Sequence, residues 1–264
     1  MTTADRHELR VLPTAAGAAT EAARIICELL AAALIAAPEQ DPASGAQASR
    51  ASVAFSGGSS PKLMFAELLE VQNQPDWSRI DLFQVDERVA PDGDPSRNLV
   101  DLQQQLLEQL APPPVLHPIP VQAGASQAAL RYARTLHNLL GEAGHLNLVH
   151  LGLGSDGHCA SLVPGDPALQ VMNADTAATA PYQGHERVTM TYPLLNRSSC
   201  VVWLVTGESK RDALSALLSD DPKIPASHVR CKRSIIVADQ SAVSGADQSV
   251  ERVGGRSGGQ EHEW

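Results

Sequence analysis

A short apolar run that ends in clustered glycines constrains the fold of this chain most. Residues 146–151 are mainly aliphatic, as in a buried strand of a parallel sheet, and the glycine-rich turn 152–157 follows at once. Asp156 and His158 place a carboxylate and an imidazole in the same stretch, where glycines let the backbone approach a ligand closely. Ligands of open α/β sheets bind beyond the carboxyl ends of the strands, so the pattern predicts a functional site here.

The same turn formally matches one known motif and comes close to a second, and we reject both interpretations. Residues 152–157 satisfy G-x-G-x-x-G, and Asp175 lies at the distance expected for a ribose-binding acid. A dinucleotide fingerprint needs a long helix directly after the turn, yet Pro164 and Pro167 interrupt the chain. A serine-hydrolase elbow needs glycine two positions before the serine, where this chain has Leu153. We therefore expect neither a dinucleotide cofactor nor an acyl-serine enzyme.

A second strand and its turn have the composition of an anion site. Residues 51–55 predict a strand, and the turn into the next helix contains Gly57, Gly58, Ser59 and Ser60. Converging amides, hydroxyl groups and the positive end of a helix together favour a phosphate monoester. The alternative is a loop whose serine only caps the helix, and spacing alone leaves both interpretations open.

Two further strand ends offer cations. Residues 80–85 predict a buried strand that delivers Asp86 and Arg88, and an arginine there can donate two hydrogen bonds to phosphate oxygens. Lys210 follows the buried run 200–205 in the first turn of a helix, where a bound anion would relieve its unfavourable position. Solvated charges are the alternative at both places, and spacing does not decide between them.

The alternation of strands and helices predicts an α/β fold with a doubly wound, mostly parallel sheet, helices on both faces and Rossmann-like connections. Besides the segments above, we expect a loop at 40–50, helices at 21–37, 61–71, 99–110, 127–140 and 211–218, and strands at 187–192 and 234–238. The strand at 187–192 is expected to be antiparallel or at an edge. A length of 264 residues suits a single domain over residues 1–240. Residues 241–264 are rich in Gly, Ser and charged residues, which predicts a disordered tail.

Charge and cysteine usage limit the partners. The formal net charge of −10 argues against nucleic acid, because phosphate-backbone contacts need clustered Lys and Arg. The widely spaced cysteines, without a histidine cluster, predict neither a metal site nor a disulfide framework. Residues 1–30 lack the pattern of a secretory signal, and the longest apolar stretch is too short for a bilayer. We expect a cytoplasmic monomer or small homo-oligomer without membrane association, cofactor or metal.

Five segments in unbroken order resemble the 6-phosphogluconolactonase family, which shares a larger group with glucosamine-6-phosphate deaminase. The family patterns are SGGS[ST]P, VDERxV, GxGxDGHxASLFPG, RxTxTxP and GxxK, and they resemble residues 56–61, 85–89, 152–165, 187–193 and 207–210. Cys159 and Val163 stand where the family usually has threonine and phenylalanine. Arg97 lies in the family's serine-asparagine position, and its role stays open.

The resemblance implies hydrolysis of 6-phospho-D-glucono-1,5-lactone to 6-phospho-D-gluconate in the oxidative pentose phosphate pathway. His158 is then expected to be the general base that deprotonates water, because imidazole ordinarily titrates near neutrality. Either Asp156 or Asp86 would orient the imidazole ring of His158, and the sequence does not choose between them. The phosphate would be bound by the glycine-serine loop and two cations: Gly57, Gly58, Ser59, Ser60, Arg88 and Lys210. Amides of the turn 152–157 are candidate donors to the tetrahedral oxyanion. Gly154 and Arg187 are also expected to bind substrate. Cys159 is disfavoured as a covalent nucleophile, since direct attack by water suffices for so reactive an ester.

Two other function classes compete with the lactonase interpretation. Deaminases of the group continue the DGH sequence with I-A-F-N-E-P, whereas this chain continues with Cys159 and residues 160–164, ASLVP. A sugar-phosphate sensor would need a DNA-binding domain, and no basic helix-turn-helix is visible ahead of Ala51. We expect the lactonase chemistry.

Overall fold

The computed structural model describes residues 6–36 and 50–243, and ten strands and seven α-helices organise them. The strands are β1 (His7–Leu12), β2 (Ala51–Phe55), β3 (Ile80–Gln84), β4 (Asp86–Arg88), β5 (Val115–His117), β6 (Leu148–Gly152), β7 (Thr176–Ala178), β8 (Arg187–Met190), β9 (Val201–Val205) and β10 (Ser234–Asp239). The helices are α1 (Ala15–Ala36), α2 (Ser59–Glu70), α3 (Asn98–Gln105), α4 (Ala125–Leu140), α5 (Tyr192–Arg197), α6 (Arg211–Leu218) and α7 (Gln240–Val243).

Seven strands form one parallel sheet in the order β1-β10-β9-β6-β2-β3-β5. From β2 the chain adds β3 and β5 on one side, and it then returns to place β6, β9 and β10 on the other side. The direction of winding therefore reverses between β2 and β6. In doubly wound sheets the carboxyl ends of the two strands at such a reversal border the ligand crevice.

The sheet is covered by helices on both faces because its central strands are apolar on both sides. In β6, Leu148 packs in a cluster with Ile26 of α1, while its neighbour Val149 packs in another cluster with Tyr132 and Leu136 of α4. Each fully buried aliphatic side chain contributes about 1.5–3 kcal/mol to stability. This two-sided burial confirms the predicted α/β class with helices on both faces.

A second sheet of three antiparallel strands, β4-β8-β7, adjoins the carboxyl end of β3. Val85 links the two sheets, since its amide donates to Phe55 and its carbonyl accepts from Met190. Arg88 of β4 lies opposite Arg187 of β8. The small sheet thus holds these two arginines beside the main sheet's carboxyl edge.

Several element boundaries differ from the sequence prediction. Helix α1 begins at Ala15 rather than at residue 21, and α3 ends at Gln105, followed by the short 3-10 helix Leu107–Gln109. The predicted strand 187–192 is antiparallel, but it ends at residue 190 because α5 starts at Tyr192. Within the predicted loop 40–50, residues 40–49 lie outside the described residues.

The predicted boundary of the C-terminal tail is also corrected. Helix α7 continues the fold through Val243, because Ala242 is buried and its amide donates to Asp239 Oδ1. The prediction of disorder from residue 241 is therefore wrong for residues 241–243, and residues 244–264 lie outside the described part.

No helix within residues 6–36 and 50–243 combines the length and apolarity needed to cross a membrane.

Candidate active site

Four neighbouring strands, β9, β6, β2 and β3, end at one edge of the sheet and lead into the predicted site segments. Lys210 follows β9, the turn 152–158 follows β6, Gly57 follows β2, and Arg88 follows β3 through β4. Parallel strands present their carboxyl ends on the same side. The fold therefore gathers at one edge segments as far apart in the chain as Gly57 and Lys210.

His158 pairs with Asp156 within the turn after β6. The distance from His158 Nδ1 to Asp156 Oδ1 is 2.5 Å, and the His158 backbone amide donates to the same oxygen at 3.2 Å. Burial raises the pKa of Asp156, but hydrogen bonds and charge from His158 outweigh it and keep this pKa below its usual value. The pair therefore consists of an ionised carboxylate fixed on one ring nitrogen.

Gly154 makes room for this pair. A Cβ atom at residue 154 would lie 2.1 Å from His158 Nδ1 and 2.5 Å from Asp156 Oδ1, distances that no side chain tolerates. The Gly154 amide donates to the His158 carbonyl at 2.8 Å and closes the turn. The amide of Gly154 is therefore already occupied, which speaks against its expected role as a donor to substrate or oxyanion. Its observed contribution is space.

Asp86, the alternative orienter, contacts other groups instead. Its side chain is buried, Ser161 Oγ donates to Oδ2 at 2.6 Å, and Asn98 Nδ2 donates to Oδ1 at 3.2 Å. Asp86 therefore ties β4 to the segment after His158 and to the start of α3. Of the two carboxylates considered, Asp156 is the one that meets the imidazole.

The thiol next to His158 is poorly suited to nucleophilic attack. Cys159 is completely buried, and burial, reinforced by the negative charge of Asp86, raises the pKa of its thiol well above the usual value. A buried, protonated thiol is a small apolar group. The geometry therefore agrees with an uninvolved Cys159.

A half-buried arginine, Arg88, and a buried one, Arg187, face each other across β4 and β8. Arg187 is 4% exposed, and burial together with the nearby charge of Arg88 lowers the pKa of its guanidinium. Arg88 donates to the Ser96 carbonyl, and Arg187 Nη2 lies 3.3 Å from the Tyr182 carbonyl. Within the described part of the chain, the Nε atoms of both arginines lack a hydrogen-bond partner. Two adjacent cations with unmet donors form an arrangement that an anion would stabilise.

The glycine loop after β2 packs directly on Asn98. A Cβ atom at Gly57 would lie 2.0 Å from Asn98 Oδ1, and Gly58 has a φ of 119°, in the region that favours glycine. Gly58 is the N-cap residue of α2, and no side chain caps this helix end. The N-cap position is therefore occupied by a glycine and not by a serine. The side chains of Ser59 and Ser60 lie outside the described part.

Lys210 occupies a slightly different position from the predicted one. It ends the 3-10 helix Glu208–Lys210 and is the N-cap residue of α6, rather than lying within the first turn. Its side chain is half-buried. Its place after β9, next to the turn after β6, keeps it among the segments of the candidate site.

No group of three or more His, Cys, Asp or Glu residues among those described is arranged to hold a metal ion.

Sequence reasoning missed three side chains that organise this edge. Ser161 and Asn98 hold Asp86, and both lie inside or next to segments of the family pattern. Tyr182 reaches Asp156, and the Gln183-Gly184 pair that follows it is a turn signal that could have drawn attention to it. The contacts themselves are long-range and leave no local periodicity.

Comparison with known proteins finds a family model and individual relatives whose descriptions include 6-phosphogluconolactonase or 6PGL. A family model described as glucosamine-6-phosphate isomerases/6-phosphogluconolactonase matches residues 14–237. A 6-phosphogluconolactonase of Synechocystis sp. is 36% identical over 208 residues, which are 75% of this chain and 85% of the relative. The human GDH/6PGL endoplasmic bifunctional protein is 37% identical over 181 residues, which are 65% of this chain. The chain spans only 23% of the human protein's length.

A solved structure agrees with these relatives. The crystal structure of a 6-phosphogluconolactonase from Thermotoga maritima matches with a TM-score of 0.75 and 25% identity, covering 89% of this chain and 100% of that one. The family match covers most of the chain and includes every strand of the site edge. The chain therefore belongs to the glucosamine-6-phosphate isomerase/6-phosphogluconolactonase family, on its 6-phosphogluconolactonase side.

Proposed function

We propose that this chain hydrolyses 6-phospho-D-glucono-1,5-lactone to 6-phospho-D-gluconate, the lactonase step of the oxidative pentose phosphate pathway. One observation carries the proposal: the same sheet edge holds an imidazole–carboxylate pair and two adjacent arginines, half-buried Arg88 and buried Arg187. A lactone that carries a phosphate needs both, a base near the ester and cations near the far end. The named relatives support the same reaction.

His158 acts as the general base in this mechanism. Because Nδ1 pairs with Asp156 at 2.5 Å, the neutral ring carries its lone pair on Nε2. Nε2 takes a proton from water as the oxygen attacks the lactone carbonyl, and it returns that proton to the ring oxygen when the C–O bond breaks. General base catalysis of this kind contributes about 10²–10⁴-fold in rate. Asp156 fixes the ring and stabilises the imidazolium.

Arg88 and Arg187 bind the phosphate in this proposal, with the loop of Gly57 and Gly58 and the cation of Lys210 completing the pocket. The unmet Nε donors of both arginines support an anion there. Helix α2 begins at this loop, and its positive end adds to the attraction.

We also propose the predicted cytoplasmic location, which is supported by the free thiols Cys27, Cys159, Cys200 and Cys231. The predicted state of a monomer or small homo-oligomer is part of the same proposal.

A coupled assay tests the proposal. Opening of 6-phosphogluconolactone is followed through oxidation of the 6-phosphogluconate formed, with spontaneous hydrolysis subtracted. We expect enzymatic opening that strongly favours the phosphorylated lactone over glucono-1,5-lactone. Equal turnover of the two lactones would contradict the phosphate site, and ammonia release from glucosamine 6-phosphate would instead identify a deaminase.

Arginine variants locate the phosphate site. Arg88→Ala should raise KM for the phosphorylated lactone about 10- to 100-fold, since a hydrogen bond to a charged group contributes about 1.5–3 kcal/mol. Its KM for glucono-1,5-lactone should not change. Arg134→Ala, which removes an exposed arginine of α4, is the matched control. A KM change of the same size for both lactones would count against phosphate binding by Arg88.

A further inference from the structure

A phenol at the rim of the site contacts the second oxygen of Asp156. Tyr182 Oη lies 3.4 Å from Asp156 Oδ2, while His158 Nδ1 lies 2.5 Å from Asp156 Oδ1. The rings of Tyr182 and His158 also meet edge to face, with 5.7 Å between their centres. Two donors therefore hold the two oxygens of one carboxylate.

A tight turn fixes the position of Tyr182. The amide of Tyr182 donates to the His185 carbonyl at 2.9 Å, and the amide of His185 donates back at 3.3 Å. The two residues between them have positive φ angles, 51° at Gln183 and 84° at Gly184. Positive φ at both central positions is the geometry of the two-residue turns that suit twisted hairpins. The phenol is thus carried by a short hairpin, not by a free loop.

The same turn rests on a buried arginine of the phosphate site. The guanidinium carbon of Arg187 lies 5.0 Å from the centre of the Tyr182 ring. Arg187 Nη2 donates to the Tyr182 carbonyl and to Gln183 Oε1, each at 3.3 Å. Tyr182 therefore touches the cation on one side and the imidazole–carboxylate pair on the other.

We propose that Tyr182 is a positioning residue that holds Asp156, and through Asp156 the His158 ring, in a fixed position relative to Arg187. The inference rests on the proposed function. Burial and the negative charge of Asp156 raise the pKa of the Tyr182 phenol, so it stays a protonated donor at neutral pH. Asp156, His158 and Arg187 are the charged or titratable groups that face it.

The physical reason lies in the rotation of the carboxylate. With only one oxygen held, the Asp156 carboxylate can turn and exchange its oxygens, and the Nδ1 contact loses its fixed direction. Small displacements of a catalytic group lower the rate of the chemical step more than they lower binding. The phenol therefore acts on kcat rather than on KM.

Two variants of the full chain separate the hydroxyl from the ring. Tyr182→Phe removes the donor and keeps the contact with Arg187, so kcat for the phosphorylated lactone should fall about three- to tenfold with KM unchanged. The acid limb of the pH profile should move to higher pH, because the carboxylate presents more negative charge to the imidazolium. Tyr182→Leu should in addition raise KM, since Arg187 loses its aromatic partner.

A control and an independent readout make the outcome decisive. Tyr192→Phe removes another phenol hydroxyl, one that donates to the Pro225 carbonyl, and should leave the pH profile unchanged. The ¹⁵N shifts of the His158 ring test the proposal without activity, and Tyr182→Phe should change the tautomer balance. Wild-type kcat, pH profile and ¹⁵N shifts in Tyr182→Phe would overturn the role of Tyr182. Absence of lactonase activity in the wild type would instead overturn the proposed function, and the ¹⁵N comparison would still decide about Tyr182.

Discussion

Replacing His150 by leucine should remove one component of the acid sensitivity of folding. His150 lies on the central strand β6 and is completely buried, with the ring of Phe55 6.1 Å from its own. Neither of its ring nitrogens has a hydrogen-bond partner in the described part of the chain. Burial lowers the pKa of this histidine from its ordinary 6.5 to about 3. The folded protein therefore keeps His150 neutral at pH values where the unfolded chain protonates it.

The size of the effect follows from this pKa difference. Below about pH 6.5 the unfolded state binds one proton more, so the free energy of unfolding falls by about 1.4 kcal/mol for each pH unit. The loss continues until the pH reaches the folded pKa. Between pH 8 and pH 5 it amounts to about 2 kcal/mol from His150 alone. Leucine takes up no proton, and it also removes two buried polar atoms without partners, so His150→Leu should be neutral or stabilising at pH 8.

Urea unfolding followed by tryptophan fluorescence measures the difference at the two pH values. The free energy of unfolding of His150→Leu, taken as a difference from that of wild type, should rise by about 2 kcal/mol when the pH is lowered from 8 to 5. His137→Gln, at an exposed position of α4, should follow the wild type. If wild type and His150→Leu lost the same free energy on acidification, His150 would have to be protonated in the folded state, and the reasoning would fail.

Two glycine substitutions test the crowding at the candidate site. Gly154→Ala should lower kcat at least about tenfold by pushing His158 from its place, whereas Gly152→Ala, with open space around the added Cβ, should keep activity near wild type. Equal kcat values for the two variants would contradict the tight contact. Gly57→Ala, whose Cβ would meet Asn98 at 2.0 Å, should raise KM for the phosphorylated lactone more than for glucono-1,5-lactone. An unchanged preference between the lactones would separate this loop from the phosphate.

The central strands were predictable because buried strands consist of continuous apolar residues that can be recognised in the sequence. The bounds of β2 and α6 agree with the prediction, since continuous apolar residues and helical spacing are local signals. The short strands β5 and β7 and the half-exposed edge strand β1 were missed. The charged triplet 86–88 becomes β4 only because β8 pairs with it. Such strands depend on partners distant in the chain and carry no periodicity of their own.

The site was predictable to the extent that its contacts are local. Asp156 and His158 are two residues apart, so their pairing was one of two open alternatives. The exclusion of Asp86 from that role depends on Ser161, 75 residues away in the chain. The contact of Tyr182 with Asp156 spans 26 residues and a hairpin. Sequence spacing carries no information at that range without the fold.

The most direct test of the account is the kcat of His158→Asn in the coupled lactonase assay, after subtraction of spontaneous hydrolysis. Asparagine retains polarity and approximate size but cannot take a proton from water. We predict a fall in kcat of at least about 100-fold with little change in KM, as expected for loss of a general base. A kcat equal to that of the wild type would contradict the role of His158 and with it the proposed mechanism.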